Sequence, residues 1–261
     1  MTGMTSLAID VGNTSTTLAL VSDGVASAVH AVRGGIEDLT AVERALGAIL
    51  KTAHPERAAL SSVVPAVNLR WCKLIRRMLG SDPLIVNHTV ALSVSVDYPR
   101  PETIGADRLA NACGAVFKYG APVIVADFGT ALTFDVINTD RTYIGGVIAP
   151  GLPLMTDYLA DRTALLPLIN PKGRCESVGR STEGAMRIGA RIGYRGMVRE
   201  ITAHLLDGMR SENVKLCATG GFAGWVMKGS GLDYVVDPEL TLTGIGVISD
   251  LNQGRGKDMP R

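Results

Sequence analysis

Two aspartates in this 261-residue chain are followed by the same kinds of atoms. Asp10 ends the apolar run Leu7-Ala8-Ile9 and leads into Val11-Gly12-Asn13-Thr14-Ser15-Thr16-Thr17, whereas Asp127 ends Ile124-Val125-Ala126 and leads into Phe128-Gly129-Thr130. A glycine two residues after a carboxylate lets backbone N–H groups approach a polyphosphate, and short hydroxyl and amide side chains can donate to its oxygens. The carboxylate suits a Mg²⁺ ion travelling with that polyphosphate, because Mg²⁺ takes oxygen ligands and commonly one or two carboxylates. Taken singly, each stretch serves equally well as an ordinary hairpin turn. Their recurrence 117 residues apart, close to half the chain, favours a common purpose and two similar halves. Neither Gly-x-x-x-x-Gly-Lys nor Gly-x-Gly-x-x-Gly after a strand occurs.

A third constellation lies between the two turns, at Gly105-Ala106-Asp107-Arg108. Asp107 can complement a helix dipole from the first turn, or it can accept a proton from a substrate hydroxyl. Arg108 can be solvated, can pair with a neighbouring acid, or can grip a carboxylate with paired hydrogen bonds. Two glycine-containing stretches carry similar choices. Residues 145–152 (GGVIAPGL) read as a turn-rich connection or a binding loop, and residues 219–225 (TGGFAGW) as a nucleotide contact or a turn into a helix.

The elements that must hold these groups alternate. Strands are expected on both sides of Gly12-Asn13, over 58–65, in Pro83–Asn87 and Ala91–Val96, on both sides of Gly129, over 142–147 and at Val214–Ala218. Apolar residues at helical spacing cover 36–53; Pro65 opens a second helix that Gly80 closes; a third begins near Ala106. Residues 183–208 read as a long helix with Gly189, Gly193 and Gly196 on one face, which suits close approach of another helix, from this chain or a second copy. This is α/β material: mixed sheets covered by helices, divided into halves at 1–118 and 119–261.

Composition narrows the partners. Lys plus Arg total 26 against 25 Asp plus Glu, so there is no general attraction to nucleic acid or an anionic membrane. Four scattered cysteines and four scattered histidines suggest reduced thiols and no zinc set. The N-terminal segment has no signal-peptide pattern, and no run reaches the roughly 18 to 20 apolar residues of a membrane span, so a cytoplasmic protein is expected.

The paired turns resemble the phosphate loops of the acetate kinase, sugar kinase, Hsp70 and actin superfamily. Eight pieces in one order, DVGNT, SSVVP, the Tyr98–Arg108 segment, DFGTALTFDV, GGVIAPGL, TALLP, TGGFA and LTLTGI, resemble the type III pantothenate kinases over residues 6 to 248. The resemblance implies two ribonuclease H-like halves with the active site in the cleft between them, and ATP-dependent phosphorylation of pantothenate, the first step of coenzyme A biosynthesis. It implies that Asp10, Val11, Gly12, Asn13, Thr14, Ser15, Thr16, Thr17 and Thr130 contact ATP, with Asp10 a further contact to Mg²⁺-ATP. It implies that Tyr98, Gly105, Ala106, Asp107, Arg108 and Thr182 hold pantothenate, with Asp107 as the catalytic base, and that Asp127 binds a monovalent cation, K⁺ or NH₄⁺. A homodimer is also implied. Ser181 stands where many relatives carry Asn, and Leu132 where a small or hydroxylated residue is frequent. A regulatory protein on the same fold, or a kinase of another small alcohol, are the rival readings.

Overall fold

The computed structural model describes residues 5–33, 39–209 and 213–253. In chain order the elements are β1 (Ser6–Val11), β2 (Ser15–Ser22), β3 (Val25–Arg33), α1 (Leu39–Thr52), β4 (Arg57–Ser62), α2 (Pro65–Leu79), β5 (Leu84–Ile85), β6 (Ser95–Val96) and α3 (Ala106–Tyr119). There follow β7 (Val123–Phe128), β8 (Ala131–Ile137), β9 (Thr142–Pro150), α4 (Leu152–Arg162), α5 (Thr182–Ile188), a π turn (Gly189–Gly193), α6 (Tyr194–Met209), β10 (Lys215–Thr219), α7 (Ala223–Met227), β11 (Val235–Val236) and α8 (Leu240–Leu251). The chain forms two compact units, residues 1–121 with 140–144 and 239–261, and residues 122–139 with 145–238. A single boundary at 118/119 would assign α8 to the other half; here α8 packs on α3 and β1 of the first unit.

In the first unit the sheet runs β3-β2-β1-β4-β5, with β1 antiparallel to β2 and parallel to β4. In the second, the order β9-β8-β7-β10-β11 repeats it, with β7 antiparallel to β8 and parallel to β10. Each is therefore a mixed sheet of one topology flanked by helices, the duplicated arrangement expected. The cores are separate: Leu7, Ile9, Leu18, Leu46, Leu60, Trp71 and Ile75 fill the first, and Phe128, Leu132, Phe134, Tyr194, Val198 and Val226 the second.

Helix α2 starts at Pro65, whose missing N–H costs nothing in a first turn, and stops at Gly80, which takes the left-handed conformation at φ 79°. Several expectations are corrected. Residues 36–38 of the first expected helix lie outside the described residues. The strand expected over 58–65 ends at Ser62, and those over 83–87 and 91–96 shrink to two residues each. The stretch 145–150 extends strand β9 instead of forming a loop, because its backbone joins the sheet edge beside β8. The long helix over 183–208 is interrupted by the π turn, which inserts one residue per turn and shifts the face that follows.

Candidate active site

In the first unit, the β1–β2 register sets Asp10 opposite Thr17 and Val11 opposite Thr16, while β1–β4 pairing sets Asp10 beside Ser61. Cross-strand partners point to the same face, so Asp10, Thr17 and Ser61 form one polar row. Ser61 Oγ donates to Asp10 Oδ1 at 3.0 Å, a contact sequence reading missed because the two lie 51 positions apart. Val11 and Thr16 point the other way and are fully buried, so they can offer a ligand only main-chain atoms. Gly12 N–H donates to Ser15 O at 3.0 Å and so closes the turn, leaving Asn13 and Thr14 exposed at its tip.

Asp107 stands in the first turn of α3, where its Oδ1 accepts from Arg108 N–H at 2.8 Å. Gly105 immediately precedes this helix, and a Cβ there would overlap the Asp107 carboxylate. Burial pushes the Asp107 carboxyl above the usual carboxylate range, and the Arg108 N–H and positive charge oppose that rise without overcoming it. Arg108 is not solvated: it is 8% exposed, with its guanidinium carbon 5.8 Å from the ring centre of Tyr143. The ring of Tyr98 lies 6.2 Å from the same Tyr143 ring. Strand pairing explains this meeting, because Ser95 and Val96 pair with Thr142 and Tyr143, and Asp97 N–H donates to Tyr143 O at 3.0 Å. Tyr143 thus joins two predicted substrate contacts, Tyr98 and Arg108, although nothing in its local sequence marked it.

The second unit repeats the polar row: Asp127 is opposite Thr133 and beside Thr219, with Phe128 opposite Leu132 on the buried face. Leu132 is therefore a packing residue of this core. Gly129 N–H donates to Ala131 O at 3.1 Å, and Thr130 is the exposed tip. Two glycines from elsewhere press on this turn. A Cβ on Gly151 would overlap Thr130 O and stand 2.5 Å from Gly129 O; one on Gly220 would stand 2.5 Å from Asp127 Oδ1. Beneath it, Tyr194 meets Phe128 edge-on at 6.4 Å, and burial, with the nearby Asp127 charge, pushes its phenol well up. Thr182 opens α5 and is exposed; Ser181 caps that helix by accepting from Gly184 N–H at 3.1 Å. Asn caps as well as Ser does, which accounts for the Ser181 departure. Arg174, Arg180 and Arg187 line a cavity of about 290 Å³ together with Glu176 and Ser181, and Arg187 is paired there with Glu183.

Among the described residues no three His, Cys, Asp or Glu side chains cluster to hold a metal, so a Mg²⁺ ion would depend on phosphate oxygens for part of its shell. The carboxylate of Asp10, fixed by Ser61, fits that partial role, and the cradle around Asp127 fits an oxygen-liganded monovalent cation. No described helix is long and apolar enough to cross a membrane, and none of the four cysteines forms a disulfide.

The sequence matches the family profile described as type III pantothenate kinase over residues 6–204. A type III pantothenate kinase of Akkermansia muciniphila is 41% identical over 249 residues, covering 95% of this chain and 100% of the relative. One of Methylacidiphilum infernorum is 37% identical, covering 97% and 91%. Among solved structures, a Baf family transcriptional activator from Campylobacter jejuni superposes with TM-score 0.59 at 16% identity, over 94% of this chain and 98% of that one. A ROK family glucokinase from Streptomyces griseus, in complex with glucose and AMPPNP, gives 0.54 at 15% identity, over 96% and 100%. These likenesses at low identity show the fold alone, and the sequence matches show more: the chain belongs to the type III pantothenate kinase family.

Proposed function

We propose that this protein transfers the terminal phosphoryl group of ATP to the primary hydroxyl of pantothenate, the first step of coenzyme A biosynthesis. The observation that carries the reading is Asp107, placed by Gly105 and the first turn of α3 with its carboxyl pushed up by burial. A carboxylate with a raised pKa is a stronger base than an ordinary one, which suits it to take the hydroxyl proton as the phosphoryl group arrives. The rest is alignment and charge neutralisation, the main contributions of an enzyme to phosphoryl transfer.

The stretch Asp10–Thr17 holds ATP phosphates through its exposed tip, Asn13 and Thr14, and Thr130 adds a further contact. Tyr98, Gly105, Ala106, Arg108 and Thr182 hold pantothenate, whose carboxylate suits an arginine-rich setting. Mg²⁺ and a monovalent cation, K⁺ or NH₄⁺, would supply neutralising charge at the phosphates when bound, near Asp10 and at Asp127 respectively. The protein works in the cytosol as a homodimer. Support for the dimer comes from Gly189 and Gly193, both exposed, where a Cβ would meet nothing within 4 Å beyond the helix's own backbone. Ile192 beside them is 57% exposed. Sedimentation at working concentration should give twice the chain mass; a monomer would remove the dimer.

The activity is tested with purified protein, ATP, Mg²⁺ and K⁺, comparing pantothenate with a panel of small alcohols and with no acceptor. Phosphopantothenate should form, and the other wells should stay at background. Faster phosphorylation of another alcohol, or ATP-independent behaviour throughout, would overturn the reading.

A further inference from the structure

Of the two glycines that press on the second aspartate turn, one reaches the carboxylate itself. Gly220 follows β10, whose last residue Thr219 pairs with Asp127, and its φ of 89° lies in the left-handed region. A Cβ built on it would stand 2.5 Å from Asp127 Oδ1 and 2.7 Å from both N and C of Phe128, so no L side chain fits without displacing the carboxylate or the strand. Phe222 N–H donates to Phe128 O at 3.3 Å and ties this turn to β7 from the other end. The neighbour Gly221 differs: it is exposed, and a Cβ there meets nothing within 4 Å. If the glycine pair approaches a nucleotide, Gly221 is the residue free to do so, because the protein's own atoms occupy the side of Gly220.

We propose that Gly220 is a positioning residue for Asp127, its bare Cα closing one side of the carboxylate so that a single orientation is presented at the strand tip to a monovalent cation. The inference rests on the reading of Asp127 as the cation's ligand. Residues that orient a ligand from behind change metal affinity by about 10- to 100-fold when altered. That range sets the expected effect.

The test is the melting temperature of the whole protein titrated with KCl against NaCl at fixed ionic strength, for wild type, Gly220→Ala and Gly231→Ala. Gly231 is the control for backbone strain, since it too is left-handed, at φ 78°, with open space around it. Wild type should be stabilised by K⁺ over Na⁺. Gly220→Ala should need about 10- to 100-fold more KCl for half of that response, and Gly231→Ala should keep the wild-type midpoint. An unchanged midpoint in Gly220→Ala, or an equal shift in Gly231→Ala, overturns the positioning role while leaving Asp127 as a ligand. A wild type indifferent to the choice of salt overturns the cation reading and the positioning role with it. Should Gly220→Ala fail to fold, the pair Asp127→Ala with Gly220→Ala decides: recovery of folding in the double variant supports the contact, whereas a double variant just as unstable places the clash on Phe128 and overturns it.

Discussion

The two aspartate hairpins share a register and differ in how they are held. Both put Asp opposite Thr on an antiparallel strand and beside a hydroxyl residue on a parallel one, Ser61 in the first and Thr219 in the second. The first is secured by side chains, chiefly the Ser61–Asp10 hydrogen bond, and exposes two tip residues, Asn13 and Thr14. The second is one residue shorter, exposes only Thr130, and is wedged by Gly151 and Gly220 against its backbone. A donor-rich tip suits phosphate oxygens, while a fixed carboxylate walled by glycine suits a cation. On the proposed reading one scaffold carries two electrostatic tasks, and the observed divergence lies in turn length and in what packs behind it.

The sharpest way to test that division is to remove the group assigned to neither hairpin. Asp107→Asn should lower kcat by about 10²- to 10⁴-fold, with ATP binding and the K⁺ response retained; loss of either binding would break the separation of binding from chemistry. Stability should move the opposite way. The raised folded-state pKa means that the native state holds the proton more tightly than the unfolded chain. Asp107 therefore weakens the fold as pH rises from its unfolded pKa through its folded one. Asn removes this cost, so the variant should melt higher than wild type at pH 7 and lose that advantage in acid, as thermal unfolding across pH would read. In the wild type, kcat should fall as pH drops through the same raised pKa.

Next in size is Gly151→Ala, which forces a methyl into the carbonyls of Gly129 and Thr130 and should cost about 3 kcal/mol or more in denaturant unfolding. Gly12→Ala at the first hairpin meets only Ser15 O at 3.2 Å and should cost about 1 kcal/mol or less. Equal costs would erase the contrast between a wedged turn and an open one. Ser61→Ala probes the other mode of support. Losing a hydrogen bond to a charged group is worth about 1.5 to 3 kcal/mol, and freeing the Asp10 carboxylate should raise the KM for Mg²⁺-ATP several-fold while leaving the K⁺ midpoint alone. An altered K⁺ midpoint would mean that the hairpins are not independent.

How much of this could be read in advance depended on whether a feature was local. The hairpins, α2 between Pro65 and Gly80, and the start of α3 follow from short-range patterns, and all are present. Strand β3 gave no clear signal because Ala28, at φ 48°, sits in a bulge where the register to β2 shifts between Leu18 and Leu20, which breaks the alternation that strand reading needs. Helix α8 was known only as a sequence match: Leu240–Ser249 is buried on every side, so its pattern has no polar face to betray a period. The contacts of Ser61, Tyr143, Gly151 and Gly220 join residues about 20 to 95 positions apart, and no local spacing encodes them. What remained legible was the presence of the turns; what was hidden was the packing behind them.

The smallest expected effect compares one matched position. Thr16 in the first hairpin and Leu132 in the second face Val11 and Phe128 across their ladders, and both point into a core. Leu132 is apolar there, but Thr16 buries a hydroxyl, Oγ1, that has no hydrogen-bond partner. An unpaired buried hydroxyl costs about 1 to 3 kcal/mol, and an isosteric apolar residue avoids that cost. Thr16→Val should therefore stabilise the protein by about 1 kcal/mol and leave the KM for ATP unchanged, since the side chain faces away from the polar row of Asp10, Thr17 and Ser61. A rise in that KM would show that the Thr16 hydroxyl reaches the nucleotide after all, and that the first hairpin changes its facing when ATP binds while the wedged second one cannot.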